Sequence, residues 1–134
     1  MTVVPAHYST AGRLAVETHP TRAAMGRAAG FAAAAYLHDV IAARGEARVI
    51  FACAPSQDEF LAALIEASRS GHTLVDWSKV TAFHMDDYVG LTGAHPQSFR
   101  HYLQQHLLQL GRNPHHAWLA AWTFAPTIEQ HRLD

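Results

Sequence analysis

The chain alternates short apolar runs with segments of helical periodicity, and this alternation is the feature that most constrains its fold. Residues 47–54 and 80–85 form nearly unbroken apolar runs, the pattern of strands covered on both faces in a parallel sheet. Residues 13–17 alternate and predict a further short strand. The order helix, strand, helix, strand, helix implies right-handed βαβ crossovers. The prediction is an α/β fold: a partial Rossmann-like parallel sheet with helices on both faces.

The predicted helices have recognisable ends. The first begins near Thr21, and Gly45 lies just past its end as a cap. Ser56 and Glu59 have the spacing of a capping box at the start of the second helix. The third helix is predicted to begin at residues 96–98, because a proline there is followed by apolar residues at helical spacing.

Length and charge narrow the functional classes. At 134 residues the chain fits one domain with a real core. Ten basic and eleven acidic residues give a formal charge of −1, so bulk electrostatics favours neither a nucleic-acid nor a membrane partner. No apolar run approaches the roughly 20 residues that cross a bilayer, and a cytoplasmic location is predicted. Residues 109–134 have turn signals but no assignable pattern.

The histidines and the cysteine do not predict a metal site or a nucleophile. The eleven histidines lack the close pairing typical of zinc ligands; His101 and His106, five residues apart, would lie on different faces of a helix. The single cysteine, Cys53, excludes an internal disulfide and lies in an apolar run, which favours a buried and inert thiol.

Two adjacent carboxylates, Asp86 and Asp87, follow the second apolar run. In an open α/β sheet ligands bind at the carboxyl ends of the strands, where these residues are expected. Neighbouring residues on a strand point to opposite faces, so one carboxylate is expected to face a crevice while the other caps, pairs or faces solvent. A carboxylate here can be a general base that moves a proton between neighbouring sugar carbons, but a loop-capping turn explains the same spacing.

A second candidate site follows the first apolar run. The Ser56 hydroxyl and the helix amides beside Gln57 could hold a phosphate, although a plain helix cap accounts for the same residues. The segment lacks the glycines of a P-loop, which argues against a nucleotide site. Beside the acidic pair, Tyr88 and His84 could contact a sugar, or they could be ordinary loop residues.

The segment Phe83-His84-Met85-Asp86-Asp87-Tyr88-Val89-Gly90-Leu91, followed by His95-Pro96-Gln97-Ser98-Phe99, resembles the signature of the glucosamine-6-phosphate deaminase/isomerase family. Upstream, residues 21–29 and 50–64 look like a sugar-phosphate isomerase-like branch of that family. The resemblance covers about residues 12–108 of a single, incomplete α/β domain, and residues 109–134 stay unassigned.

The resemblance implies a function and a set of site residues. Asp86 matches the general base that shuttles a proton between C1 and C2 of an amino sugar phosphate. Ser56 and Gln57 match the phosphate-binding turn, and Asp87 and Tyr88 are implied as further substrate-binding residues. The implied ligand is a small-molecule sugar phosphate; no organic cofactor, metal, nucleic acid or membrane is implied, and a homo-oligomer is compatible with exposed sheet edges.

The chain also departs from the family. Where the family has Gly-Gly, this chain has Ala54-Pro55, and proline has no amide hydrogen to donate. The family's downstream ring-opening histidine segment is not recognisable after Leu108. We therefore expect an amino-terminal fragment, from truncation or a frameshift, with little deaminase turnover alone. The alternatives are a 6-phosphogluconolactonase-like hydrolase and a non-catalytic sugar-phosphate-binding remnant.

Overall fold

A computed structural model describes residues 4–69 and 71–108. The unassigned tail, residues 109–134, lies outside the described residues. In chain order the strands and helices are β1 (His7–Ala11), β2 (Leu14–Thr18), α1 (Arg22–Arg44), β3 (Ala47–Phe51), α2 (Asp58–Ser68), β4 (Val80–His84) and α3 (Phe99–Leu103). Shorter helical turns span Pro55–Gln57, Gly71–Thr73, Trp77–Lys79 and Gln104–Leu108.

Strands β3 and β4 form a parallel pair, joined through α2. Ala47 lies opposite Val80, and Phe51 lies opposite His84. A parallel pair requires a crossover connection, which α2 supplies. The predicted α/β class with a parallel sheet is confirmed, although β4 ends at His84, one residue earlier than expected.

One face of this sheet packs on the helices and the other does not. Ala47 and Phe51 are 4% and 3% exposed and join a core that includes Leu37 and Leu64. Residues two apart on a strand share a face, and the alternate residue Ile50 is 68% exposed. The expectation that β3 would be covered on both faces is therefore wrong for the described residues. Its apolar run reflects strand propensity as well as burial.

An antiparallel hairpin, β1 and β2, precedes the first helix. The predicted strand over residues 13–17 is confirmed as β2, and β1 was not predicted because His7–Ala11 has no apolar alternation. A tight turn joins the two strands, with Gly12 at a φ of 61°. That left-handed conformation is one that glycine adopts at little steric cost.

Helix α1 has the ends that the sequence predicts. At its start the Thr21 hydroxyl accepts a hydrogen bond of 3.1 Å from the Ala24 amide. At its end Gly45 has a φ of 82° and its amide donates to the Ile41 carbonyl over 2.8 Å. These caps satisfy backbone groups that helix ends otherwise leave unpaired.

Two glycines let α1 approach α2 until their backbones nearly touch. A Cβ atom at Gly26 would lie 2.5 Å from the Glu59 Cβ, and one at Gly30 would lie 2.6 Å from the Leu64 backbone nitrogen. Both distances are too short for any larger residue. Beside this contact, Arg27 donates two hydrogen bonds to the Glu66 carboxylate, at 2.8 and 2.9 Å.

The end of α2 contains the most buried polar contact of the described core. Trp77 and Ser68 are 7% and 1% exposed, and the indole nitrogen of Trp77 donates to the Ser68 hydroxyl over 3.1 Å. That hydroxyl in turn donates to the Ile65 carbonyl. Buried polar groups are stabilising when paired in this way, and this pair fixes the connection into β4.

In the described part of the chain no helix is long and apolar enough to span a bilayer.

We expect Gly30→Ala to destabilise the protein, although alanine favours helix by about 1 kcal/mol over glycine. The new methyl meets the backbone of α2 and forces the helices apart, and overpacking of this kind costs about 1 to 3 kcal/mol. The upper part of this range is expected because the new methyl meets backbone atoms, so urea denaturation should show a net loss of about 1 to 2 kcal/mol. Ala32→Ser, which adds one atom at an exposed position of the same helix, is the control. An unchanged or higher urea midpoint for Gly30→Ala would contradict the close contact.

Candidate functional site

Both candidate segments leave the same edge of the sheet. Phe51 and His84 are opposite each other at the ends of β3 and β4, and the Met85 amide donates to the Phe51 carbonyl over 2.9 Å. Residues 52–58 and 85–91 therefore start side by side. The predicted position of the acidic pair, just past the carboxyl end of a strand, agrees with the structure.

Asp86 lies two residues beyond β4 and is exposed. The His84 Nδ1 atom lies 2.8 Å from the Asp86 carbonyl oxygen. Because a carbonyl oxygen only accepts, Nδ1 must carry the hydrogen in this contact. The contact involves only the Asp86 backbone, and the residue is exposed at the sheet edge.

Asp87 is the centre of a hydrogen-bond network, with a side chain only 11% exposed. Its Oδ1 accepts from the amides of Tyr88 and Phe99, at 2.9 and 3.1 Å. Its Oδ2 accepts from the Ser98 hydroxyl at 2.9 Å, from the Arg100 Nε at 3.0 Å and from the Arg100 amide at 3.5 Å. Both oxygens are thus engaged by donors at the start of α3.

This network keeps the Asp87 carboxylate charged. Burial by itself raises the pKa of Asp87, but hydrogen bonds from Ser98, from the Phe99 and Tyr88 amides and from Arg100 outweigh it and lower the pKa to about 2. The prediction that one member of the pair caps or pairs is confirmed. The structure shows Asp87 holding α3 to the loop, while its predicted substrate contact stays a prediction.

Arg100 is a site residue that the sequence did not single out. Besides its ion pair with Asp87, its guanidinium donates to the Leu91 carbonyl over 2.9 Å. It therefore fastens both ends of the loop that runs from Asp87 to Leu91. Arginine is suited to this role because its fork of donors reaches two acceptors at once. The only sequence signal is a basic residue after a predicted helix start, which is too common to identify it.

The turn after β3 differs from its prediction. Residues Pro55–Gln57 form a 3-10 turn, and α2 starts at Asp58 without a side-chain cap. The predicted capping box of Ser56 with Glu59 is wrong. Glu59 instead accepts from the Arg22 Nε at 2.8 Å, and an ion partner on α1 replaced the local backbone contact that the spacing suggested.

The same turn presents few free donors. Pro55 has no amide hydrogen, and the Gln57 amide donates to the Ala54 carbonyl over 2.8 Å. Arg22 also donates to the Pro55 carbonyl. The Ser56 side chain is exposed. Of the two predicted phosphate-binding residues, Ser56 is exposed and Gln57 is half-buried.

Tyr88 lies beside an open groove of about 460 Å³. Its ring is 58% exposed, and its centre lies 5.3 Å from that of Phe99. Val89, Leu91 and Gln97 complete the lining. The groove adjoins the Asp86 segment and offers an aromatic surface with one amide side chain.

The Cys53 thiol is buried, as predicted. The residue is 6% exposed. Burial, reinforced by the negative charge of nearby Asp86, raises the pKa of the Cys53 thiol to about 11. A thiol is a poor nucleophile when it is held protonated.

Within residues 4–69 and 71–108, no group of three or more metal-ligating side chains comes together.

The low pKa of Asp87 predicts a pH-dependent contribution to stability. A carboxyl whose pKa is lowered by folding stabilises the protein above its unfolded value, near 4, and this stabilisation is lost as the pH falls toward 2. We expect it to be on the order of 1 to 2 kcal/mol in wild type. Asp87→Asn should remove it and lower the urea midpoint at pH 7.

Urea midpoints of both proteins between pH 7 and pH 2.5 check this prediction. The difference between wild type and Asp87→Asn should shrink as the pH falls below 4. Asp39→Asn, at an exposed position on α1, is the matched control and should follow wild type at every pH. A constant difference across the range would show that the charge of Asp87 is not stabilising.

Comparisons with known proteins find partial sequence matches to glucosamine-6-phosphate deaminases. No family model matches it. Glucosamine-6-phosphate deaminase 2 from Bacillus subtilis is 46% identical over 43 residues, which are 31% of this chain and 17% of that enzyme. Glucosamine-6-phosphate deaminase from Streptococcus sanguinis is 34% identical over 65 residues, which are 48% of this chain and 25% of that enzyme. The matched stretch thus spans a quarter or less of these relatives.

Solved structures share the fold over most of this chain. A 6-phosphogluconolactonase from Shewanella baltica has a TM-score of 0.59 at 19% identity, covering 78% of this chain and 39% of its own. A putative 6-phosphogluconolactonase from Neisseria gonorrhoeae has a TM-score of 0.58 at 19% identity, covering 84% and 42%. A monomeric glucosamine-6-phosphate deaminase has a TM-score of 0.56 at 18% identity, covering 74% and 39%.

The two kinds of comparison agree. The solved structures establish the α/β fold, and the matched stretch establishes the sequence relationship. The resemblance predicted from the sequence, to the glucosamine-6-phosphate deaminase/isomerase family, is therefore confirmed over part of this chain.

Proposed function

We propose that this chain carries the proton-transfer part of a sugar-phosphate isomerase or deaminase site, with Asp86 as the general base. The reaction would convert glucosamine 6-phosphate to fructose 6-phosphate and ammonia. The observation that carries the proposal is the different environment of the two adjacent carboxylates. Asp87 is engaged by five donors, whereas the Asp86 side chain is exposed at the edge where α/β sheets bind ligands.

The central step of this reaction moves one proton from C2 to C1 of the sugar. The Asp86 carboxylate removes the proton from C2 of the open-chain sugar, and the electron pair moves toward the C1 carbonyl, whose oxygen takes up a proton from solvent. Return of the proton from Asp86 to C1 leaves a protonated imine at C2, which water hydrolyses to the ketone and ammonia with release of one proton to solvent. A single carboxylate within reach of both carbons can perform both transfers, and such catalysis contributes about 100-fold to 10,000-fold.

The remaining predicted residues have supporting roles in this proposal. The exposed Ser56 hydroxyl is the contact for the phosphate, with Gln57 beside it. Tyr88 borders the sugar through its exposed ring. Asp87 supports substrate binding indirectly, by ordering the loop, because its oxygens already accept hydrogen bonds from donors of the chain itself.

A 6-phosphogluconolactonase-like hydrolase is the second candidate. Two of the structures with the same fold carry that name. A lactonase would hydrolyse an ester and would not exchange a proton at C2. The sequence matches favour the deaminase, because the relatives that align with part of this chain are named glucosamine-6-phosphate deaminases. A sugar-phosphate-binding remnant would bind without either reaction.

Proton exchange in D2O separates these candidates without requiring complete turnover. We expect the chain to promote incorporation of deuterium at C2 of glucosamine 6-phosphate, followed by NMR. Asp86→Asn should lower that rate about 100-fold or more, because it removes the base. Asp39→Asn, which changes an exposed aspartate on α1, is the matched control.

Each alternative outcome has a distinct meaning. Equal exchange in wild type and Asp86→Asn would overturn the role of Asp86. Release of acid from 6-phosphogluconolactone without C2 exchange would favour the hydrolase. Calorimetric binding of glucosamine 6-phosphate with neither reaction would favour the binding remnant. Ammonia release, measured in the same samples, shows how far the complete reaction proceeds.

A further inference from the structure

The turn after β3 is fastened by a residue on α3 that no sequence pattern singled out. The Tyr102 hydroxyl lies 2.6 Å from the Ala54 carbonyl and 2.6 Å from the Asp58 Oδ1. These two acceptors bracket the 3-10 turn that contains Ser56. The hydroxyl has one proton, so it donates to one of these acceptors at a time, and either hydrogen bond ties α3 to an end of the turn.

The surroundings of Tyr102 keep its hydroxyl in place. Its ring stacks on His106, with centres 4.3 Å apart and planes at 27°. The His106 Nδ1 lies 3.6 Å from the Asp58 Oδ1 and forms an ion pair when the imidazole is protonated. Burial, and then the neighbouring Asp58 carboxylate, raise the pKa of Tyr102 well above its ordinary value, so the hydroxyl remains a donor at neutral pH.

Helix α3 links this tether to the acidic segment. Asp87 binds the first residues of α3, and the Tyr102 amide donates to the Ser98 carbonyl one turn later. One short helix therefore touches both segments that leave the sheet edge. The Ser56 turn and the Asp86 loop are held at a fixed separation through it, which neither local segment could achieve alone.

We propose that Tyr102 is a positioning residue that holds the Ser56 turn at a set distance from Asp86. The inference rests on the proposed function, because the ligand it would serve is a sugar phosphate that spans these two residues. In glucosamine 6-phosphate the reacting carbons are C1 and C2, and the phosphate is at the other end of the chain, on C6. Binding both ends at once requires the two segments to be pre-organised, and this preorganisation supports affinity.

Tyr102→Phe tests the tether because it removes the hydroxyl and keeps the ring that stacks on His106. The Gln57 amide, which donates to the Ala54 carbonyl, is the local reporter. We expect its hydrogen exchange to rise about fivefold, the effect of losing one hydrogen bond. Amides of the α1 and α2 core should not change. The Ala54 carbonyl carbon resonance should shift as its second donor is lost.

Two control variants make this test decisive. Tyr36→Phe removes a hydroxyl at a position 71% exposed on α1 and should exchange like wild type. Asp58→Asn keeps an oxygen that accepts from Tyr102, so it should also retain slow Gln57 exchange. If Asp58→Asn accelerates exchange as much as Tyr102→Phe, the charge of Asp58 holds the turn and the proposal fails. Unchanged Gln57 exchange in Tyr102→Phe overturns it as well.

Titration with glucosamine 6-phosphate separates the tether from the function. Tyr102→Phe should weaken binding about fivefold at a temperature where both proteins are folded. If wild type binds no sugar phosphate, the proposed function fails, and the exchange measurement decides the tether by itself. If wild type binds and Tyr102→Phe binds equally well, the separation of the turn from Asp86 does not matter and the positioning role is wrong.

Discussion

The close contact between α1 and α2 is the constraint on which the rest of the described structure depends. At Gly26 and Gly30 the two helices lie so close together that there is no room for a side chain between them. This places Leu64 of α2 in the same hydrophobic core as Phe51 of β3. It also brings Arg22 of α1 to the start of α2. The packing of two helices thus determines where the turn after β3 can lie.

The second constraint is electrostatic. A carboxylate that is mostly buried must be matched by donors, and Asp87 is matched by two side chains and three backbone amides. These donors come from the start of α3 and from the loop itself. Satisfying one charge therefore orders a loop of several residues. Asp86, its neighbour, is exposed beside this ordered loop, as the proposed role of general base requires.

Most of the fold could be predicted from particular residues, and the site only in part. Thr21 and Gly45 marked the ends of α1 because caps act within one turn of the backbone. The position of Asp86 followed from the strand before it. The capping box predicted for Ser56 and Glu59 does not form, because Glu59 pairs with the distant cation Arg22 instead of the local backbone. The tether from Tyr102 to Ala54 spans 48 residues, and no local pattern encodes it.

The sequence by itself determined the order of helices and strands, the acidic pair at the end of a strand and the family it resembles. These depend on short-range propensity, periodicity and motif, which are written within a few residues of each position. Only the tertiary structure decided which carboxylate of the pair is structural and which residues fasten the two site segments. Those choices depend on charges and donors that meet across distant parts of the chain, where burial makes each unpaired group costly.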